Sequence, residues 1–190
     1  MTTQIIHINK MMNAQIAKLN NALNQKNKQE VEKALEEIVI HKIPETVPFL
    51  ISILNTTTDH FLRNRLALAL ADIGDQRAVK PLITLAKLKN LTGHKGTLIY
   101  ALQSLNCESI FLDLVDLAIH DDGWEARTEA IGAIETIKVI DFEELELAYK
   151  KADTTLYNLN RQSPITEGIQ DKVASIHALK YELSCFEYFD

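Results

Sequence analysis

Turn-forming residues are scarce in this chain. Its 190 residues hold six Gly and four Pro, less than half of the roughly 12% that an average chain carries. An all-β sandwich or barrel needs a turn signal every ~10 residues, so the composition disfavours that class. Cysteine is nearly absent as well. Cys107 and Cys185 lie far apart with no Cys-x-x-Cys pair, which leaves neither a disulfide framework nor a zinc-ligand spacing. Both read as buried free thiols in a reducing compartment. No apolar run approaches the ~18 residues of a membrane span, and Met1-Thr-Thr-Gln-Ile-Ile-His-Ile-Asn-Lys10 lacks the basic-then-apolar order of a signal peptide. The expected location is the cytoplasm, where the Asn-x-Thr matches at Asn55 and Asn90 have no meaning as glycosylation sites. Missing too are Gly-x-x-x-x-Gly-Lys-Ser/Thr, Gly-x-Gly-x-x-Gly, Gly-x-Ser-x-Gly and His-Glu-x-x-His. No catalytic residue, cofactor or resident metal is therefore expected.

What is present is a globular composition, 46% apolar and 24% charged, with a formal charge of −6. The length suits one domain, and the mild negative charge argues against a general nucleic-acid binder.

One pattern recurs along the chain: a small residue, an aliphatic, two variable positions, then an aliphatic. It reads Ala34-Leu35-x-x-Ile38, Ala69-Leu70-x-x-Ile73, Ala101-Leu102-x-x-Leu105 and Ala133-Ile134-x-x-Ile137. Six residues before each Ala stands a base: Lys28, Arg63, Lys95 and Arg127. A second apolar block follows each first one, at Val47/Leu50/Ile51/Leu54, Val79/Leu82/Ile83/Ala86, Ile110/Phe111/Leu114/Val115/Ala118 and Phe142/Leu145/Ala148/Tyr149. The spacing of three and four is the helical period. Each repeat is thus a helix pair, A then B, and four pairs span residues 28–153. Residues 1–27 form an N-terminal capping helix with apolar positions at 5, 8, 12, 16, 19 and 23. Residues 154–190 form a loop and a C-terminal capping helix, from about Pro164 to Phe186, with Val173, Ile176, Leu179, Leu183 and Phe186 on one stripe. A repeat array exposes apolar surface at both ends, which such helices cover. Residues 153–163 read as the longest loop. Capping-box spacing at Asp122-x-x-Glu125 and Asp141-x-x-Glu144, and Ser163-Pro164 as N-cap and first helical position, mark three helix starts; Gly74 and Gly123 fall in turns.

The segment Asp59-His-Phe-Leu-Arg63-Asn-Arg-Leu-Ala-Leu-Ala69-Leu-Ala-Asp-Ile73-Gly74-Asp75-Gln-Arg-Ala-Val-Lys-Pro81-Leu-Ile resembles a HEAT-like repeat of the phycobilin-lyase type. Asp122-Gly-Trp124-Glu-Ala-Arg127-Thr-Glu-Ala130-Ile-Gly-Ala133-Ile is similar to the first half of that pattern. The third repeat departs from it, with Asn106-Cys107 in place of Gly-Asp and no Pro following. The resemblance covers about two thirds of the chain. It implies an all-α fold, a right-handed α-solenoid with A helices outside and B helices lining a concave face. It implies no chemistry, because such repeats serve scaffolds, lyase subunits, glycosylases and inhibitors alike.

Charge is unevenly distributed. Residues 1–105 carry 13 bases and 8 acids, and residues 106–190 carry 7 bases and 18 acids. Residues 76–107 hold no acid, whereas residues 108–146 hold twelve. With the apolar stripes turned inward, Asp113, Asp116 and His120 form the outward stripe of the third B helix, and Glu143 and Glu144 lie on or beside that of the fourth. These five residues are the candidate acidic partner-binding face. Arg77, Lys80 and Lys87, with outward Phe49 and the lone Trp124, are its candidate basic and apolar part. Asp116 and His120 at i, i+4 could form half a metal site, but no second ligand pair supports one, and the reading is a solvated acidic helix end. The bases six before each Ala read as partners of a neighbouring turn carboxylate such as Asp75. Tyr181, Phe186, Tyr188 and Phe189 gather aromatics at the C-terminus, as a cap over the last repeat or, alternatively, a tail that docks on a partner.

The function expected from these features is non-enzymatic binding of a basic protein through the concave face, with no membrane involved. One concrete version is an inhibitor or immunity protein of a toxin. The resemblance offers two alternatives: a subunit like the bilin lyases, or a nucleic-acid binder like the HEAT-like alkylpurine DNA glycosylases. The second suits the sequence poorly, since two of the four repeats would repel phosphate. The composition leaves homo-oligomerisation open.

Overall fold

A computed structural model describes residues 2–186, with side chains from residue 10 onward. Among the described residues there are ten α-helices and no strand. They are α1 (Thr2–Asn24), α2 (Lys28–His41), α3 (Val47–Thr56), α4 (His60–Ile73), α5 (Val79–Ala86), α6 (Gly96–Leu102), α7 (Phe111–His120), α8 (Trp124–Glu135), α9 (Phe142–Leu159) and α10 (Glu167–Cys185). Short 3-10 turns lead into α3, α5 and α7 at Pro44–Thr46, Gln76–Ala78 and Glu108–Ile110. The helices gather into two compact units, Met1–Pro81 and Leu82–Asp190.

The repeated pattern marks the cores of both units. All twelve of its residues, from Ala34 to Ile137, are buried. Burying a Leu or Ile side chain contributes about 1.5–3 kcal/mol, so these positions anchor their helices whatever lies between them.

In the first unit α1 packs on α2, and α4 packs on both α2 and α3. Lys28 lies over the Phe61 ring at 4.9 Å, and Glu32 pairs with Arg65 at 2.5 Å. Both contacts join a residue of α2 to one 33 positions later on α4, so the two helices run side by side in the same direction. Local caps set their ends. Asn27 accepts from the Glu30 N–H, and Asp59 from those of Phe61 and Leu62. Helix α4 stops at Gly74 in the left-handed region, φ 78°, and α2 stops at Lys42, φ 44°.

In the second unit α8 packs against α6, α7 and α10, and α9 against α7 and α10. A Cβ on Gly96 would strike the Glu125 side chain, and Gln103 lies over Gly132. These contacts pair the start of α6 with the start of α8 and its end with the middle of α8, so this pair also runs in one direction.

Several expectations are corrected. Helix α9 continues through residues 153–159, because Ala152, Leu156 and Leu159 extend the buried stripe of Leu145 and Ala148. Helix α10 begins after Thr166, whose side chain accepts from the Ile169 N–H; the Ser163–Pro164 peptide is cis and lies outside the helix. Helix α8 is capped by Gly123, not by an Asp122/Glu125 box: Asp122 instead pairs with Lys172 at 2.8 Å, and Glu125 packs on Gly96. Asp141 does cap α9, accepting from the Glu143 N–H at 2.8 Å. Phe142, expected inward, is 77% exposed at the first position of α9, where the buried stripe has not yet begun. Cys107 is buried, but Cys185 is exposed. Asp75 closes on its own neighbour Arg77 two residues away, a local contact that no base of the repeat ladder displaces. Tyr181 is exposed and Phe186 half-buried; the side chains at positions 5 and 8, and Tyr188 and Phe189, lie outside the described residues.

Candidate functional site

The second unit holds a cleft of about 550 Å³ into which several charged residues converge. Helix α7 forms one wall. Its buried residues Phe111, Leu114, Val115 and Ala118 fix the rotation of the helix, and positions three and seven residues apart then share the opposite face. That face carries Asp113, Asp116 and His120 into the cleft. The other wall comes from Lys87 at the end of α5, Lys89 and Thr92 in the following turn, and Lys95 just before α6. Asp121 and Asp122 close one end.

The bases lie against the acids. Lys87 donates to Asp113 at 2.5 Å, and Lys151, on α9, donates to Asp116 at 2.6 Å. At the floor Lys95 donates to Asp121 at 2.5 Å, with side chains only 6% and 4% exposed. Asp121 is a local hub. Its second carboxylate oxygen accepts from the Gly123 N–H at 2.8 Å, and its carbonyl accepts from Arg127 at 3.1 Å. Lys172, on α10, holds the Asp122 carboxyl below the usual carboxylate range through a hydrogen bond and its charge.

Three of these contacts share one spacing. Lys87 meets Asp113, Lys95 meets Asp121, and Gln103 donates to Glu129 at 2.7 Å, each across 26 residues. Residues 87–103 and residues 113–129 therefore lie side by side in register. Two ion pairs cross this seam, and Asp116 and Asp122 take their counter-bases from α9 and α10 instead.

The candidate residues separate into groups. Asp113, Asp116, His120 and Lys87 share the cleft. Glu143 is exposed and Glu144 half-buried on the first turn of α9, about 12 Å along that helix from Lys151; neither lines the cleft. Trp124 is 66% exposed and lines a separate cleft of about 400 Å³ with Asp122, Arg127 and Lys172. Phe49, Arg77 and Lys80 belong to the first unit. There Phe49 is half-buried and Lys80 exposed. Arg77 is engaged by Asp75 at 2.6 Å and by the Pro44 carbonyl at 2.5 Å.

The residues that sequence reasoning missed are the counter-bases Lys151 and Lys172 and the buried Lys95–Asp121 pair. The last had a legible signal, the base ladder with its expected turn carboxylate, and Lys95 follows it. Lys28 instead lies over an aromatic ring, and Arg127 donates to two carbonyls and Ser175 Oγ.

The cleft is an array of carboxylates and ammonium groups that can exchange ion-pair partners. The one buried thiol offers no nucleophile, because burial pushes Cys107 up to about 11, and its sulfur donates to the Leu102 carbonyl. Among the described residues no three His, Cys, Asp or Glu side chains group as a metal site, and no helix is long and apolar enough to cross a membrane. Compared with known proteins, the chain matches no family model and no curated protein.

Proposed function

We propose that this protein is a non-enzymatic, cytoplasmic interaction module with HEAT-like repeats, and that it binds a basic protein through the cleft of Asp113, Asp116 and His120. In this reading its four helix pairs form a right-handed α-solenoid. Supporting it are the buried repeat positions in both units and the like-directed neighbours α2/α4 and α6/α8. The single observation that carries the binding site is the convergence of Asp113, Asp116 and His120 in one cleft, with both carboxylates still partly exposed, 29% and 42%.

Exposed ion pairs contribute only about 0–1 kcal/mol. An incoming guanidinium can therefore displace Lys87 or Lys151 at small cost and bind a carboxylate through two parallel hydrogen bonds. In its most concrete form the partner is a basic toxin that the module neutralises. The test is capture from the native extract with three baits: the wild type, the Asp113→Lys/Asp116→Lys variant, and a first-unit control, Glu30→Lys/Glu45→Lys, outside both the cleft and the α2/α4 groove. A partner held by the first and third but lost from the second supports the reading. A partner held equally by all three sinks it.

A further inference from the structure

The first unit has a groove of its own, of about 460 Å³, between α2 and α4. Helix α2 lines it with Glu32, Leu35, Glu36, Val39 and Ile40, and α4 with Arg65, Leu68, Ala69 and Asp72. On each helix these positions step by three and four, so each presents one continuous face. The two helices run in the same direction, and their facing stripes form a straight trough at least two turns long, about 12 Å.

The trough has an apolar floor and an acidic rim. Leu35 and Ala69 are buried at its base, Val39 and Leu68 are half-covered, and Ile40 stands 75% exposed at one end. Arg65 and Glu32 neutralise each other at 2.5 Å. Glu36 and Asp72 flank the apolar strip and are exposed, and neither makes an ion pair among the described residues. An apolar strip between paired helices, edged by exposed carboxylates outside any direct ion pair, has the form that receives an amphipathic helix. The charge settles which kind of helix fits: lysines or arginines must flank its apolar stripe, because an acidic helix would set like charges against Glu36 and Asp72.

We infer that the α2/α4 groove is a docking site for a basic amphipathic helix of a partner protein. The helix lays apolar residues at i, i+3, i+4 and i+7 over Leu35, Val39, Leu68 and Ile40, and its cations reach Glu36 and Asp72. This site shares no residue with the cleft of the second unit and stands or falls without it.

The probe is a fluorescein-labelled peptide of about five turns, with Leu at those positions and Lys beside them, titrated against the full chain. Its counterpart carries Glu in place of Lys. Anisotropy is expected to saturate with a Kd on the order of 10 µM, with amide shifts on α2 and α4. Glu36→Lys/Asp72→Lys weakens binding at least about tenfold, and Ile40→Asp does the same, while Glu146→Lys/Glu167→Lys leaves it unchanged. All the substituted side chains are exposed, and circular dichroism checks each fold. Equal binding of the two peptides, or of the groove variant and the wild type, overturns the proposal. So does a dimer of the chain alone that Ile40→Asp converts to monomer in sedimentation, which would make a second copy the occupant.

Discussion

Arg63 in the first unit and Lys95 in the second stand at the same place in their helix pairs, six residues before the small residue of the repeated pattern. Both are buried, at 2% and 5% exposure. Their surroundings are opposite. Lys95 meets the Asp121 carboxylate, which is itself held by a backbone N–H. Arg63 meets the Nδ1 of His60, makes no ion pair among the described residues, and leaves its Nε without a hydrogen-bond partner. Burial pushes the Arg63 guanidinium down from its ordinary value, and Asp59 only partly offsets this. A repeat thus conserves the place of a side chain along the helix without conserving what that side chain touches. Partners come from neighbouring turns and helices, and these differ from pair to pair.

The sharpest way to probe this difference is to remove the counter-charge. Asp121→Asn leaves Lys95 buried and unpaired, and should cost about 3–5 kcal/mol in urea unfolding. Lys95→Met should cost a similar amount, and the double variant Lys95→Met/Asp121→Leu should lie closer to wild type than either single change. A strictly additive double variant would deny the pair its coupling. Arg63→Met, by contrast, should change stability by less than about 1 kcal/mol or raise it, since it removes a buried cation that has no direct ion pair among the described residues and only the partial electrostatic support of Asp59. A loss above about 2 kcal/mol would place Arg63 and Lys95 in one class after all. The helix ends offer a parallel comparison. Gly74→Ala forces a Cβ into the left-handed region and should cost about 1 kcal/mol, whereas Lys42→Gly should gain a similar amount in thermal unfolding. The smallest effect is expected at the cleft: Lys87→Ala removes an exposed pair and should cost only about 0.2–1 kcal/mol, diminishing with added salt.

Much of the fold was legible because burial at helical spacing needs no knowledge of the partner. Ala34, Leu70, Leu102 and Ile134 are buried wherever their neighbours come from. Local caps at Asp141 and Gly74 were legible for the same reason. The end of α9 was not, because Thr154, Thr155 and Asn158 read as a loop while the more widely spaced Leu156 and Leu159 were already continuing the stripe. The site was half legible. A single-helix wheel places Asp113, Asp116 and His120 on one face, but it says nothing of Lys87, Lys151 or Lys172. Which base faces which acid depends on the register between helices, and that is set by turn lengths that no periodicity within one helix reports.

The shared spacing of 26 also bears on how this sequence can drift. Lys87 and Lys95 precede the link between α6 and α7, Gln103 is its first residue, and Asp113, Asp121 and Glu129 all follow it. A change in that link that slid or rotated α7 and α8 together would move all three pairs out of alignment at once, as a zip fastener fails when one tooth is lost below the slider. The identities of the paired residues can change, even by swapping sign across the seam, but the register between the two sides is the quantity that must be inherited intact.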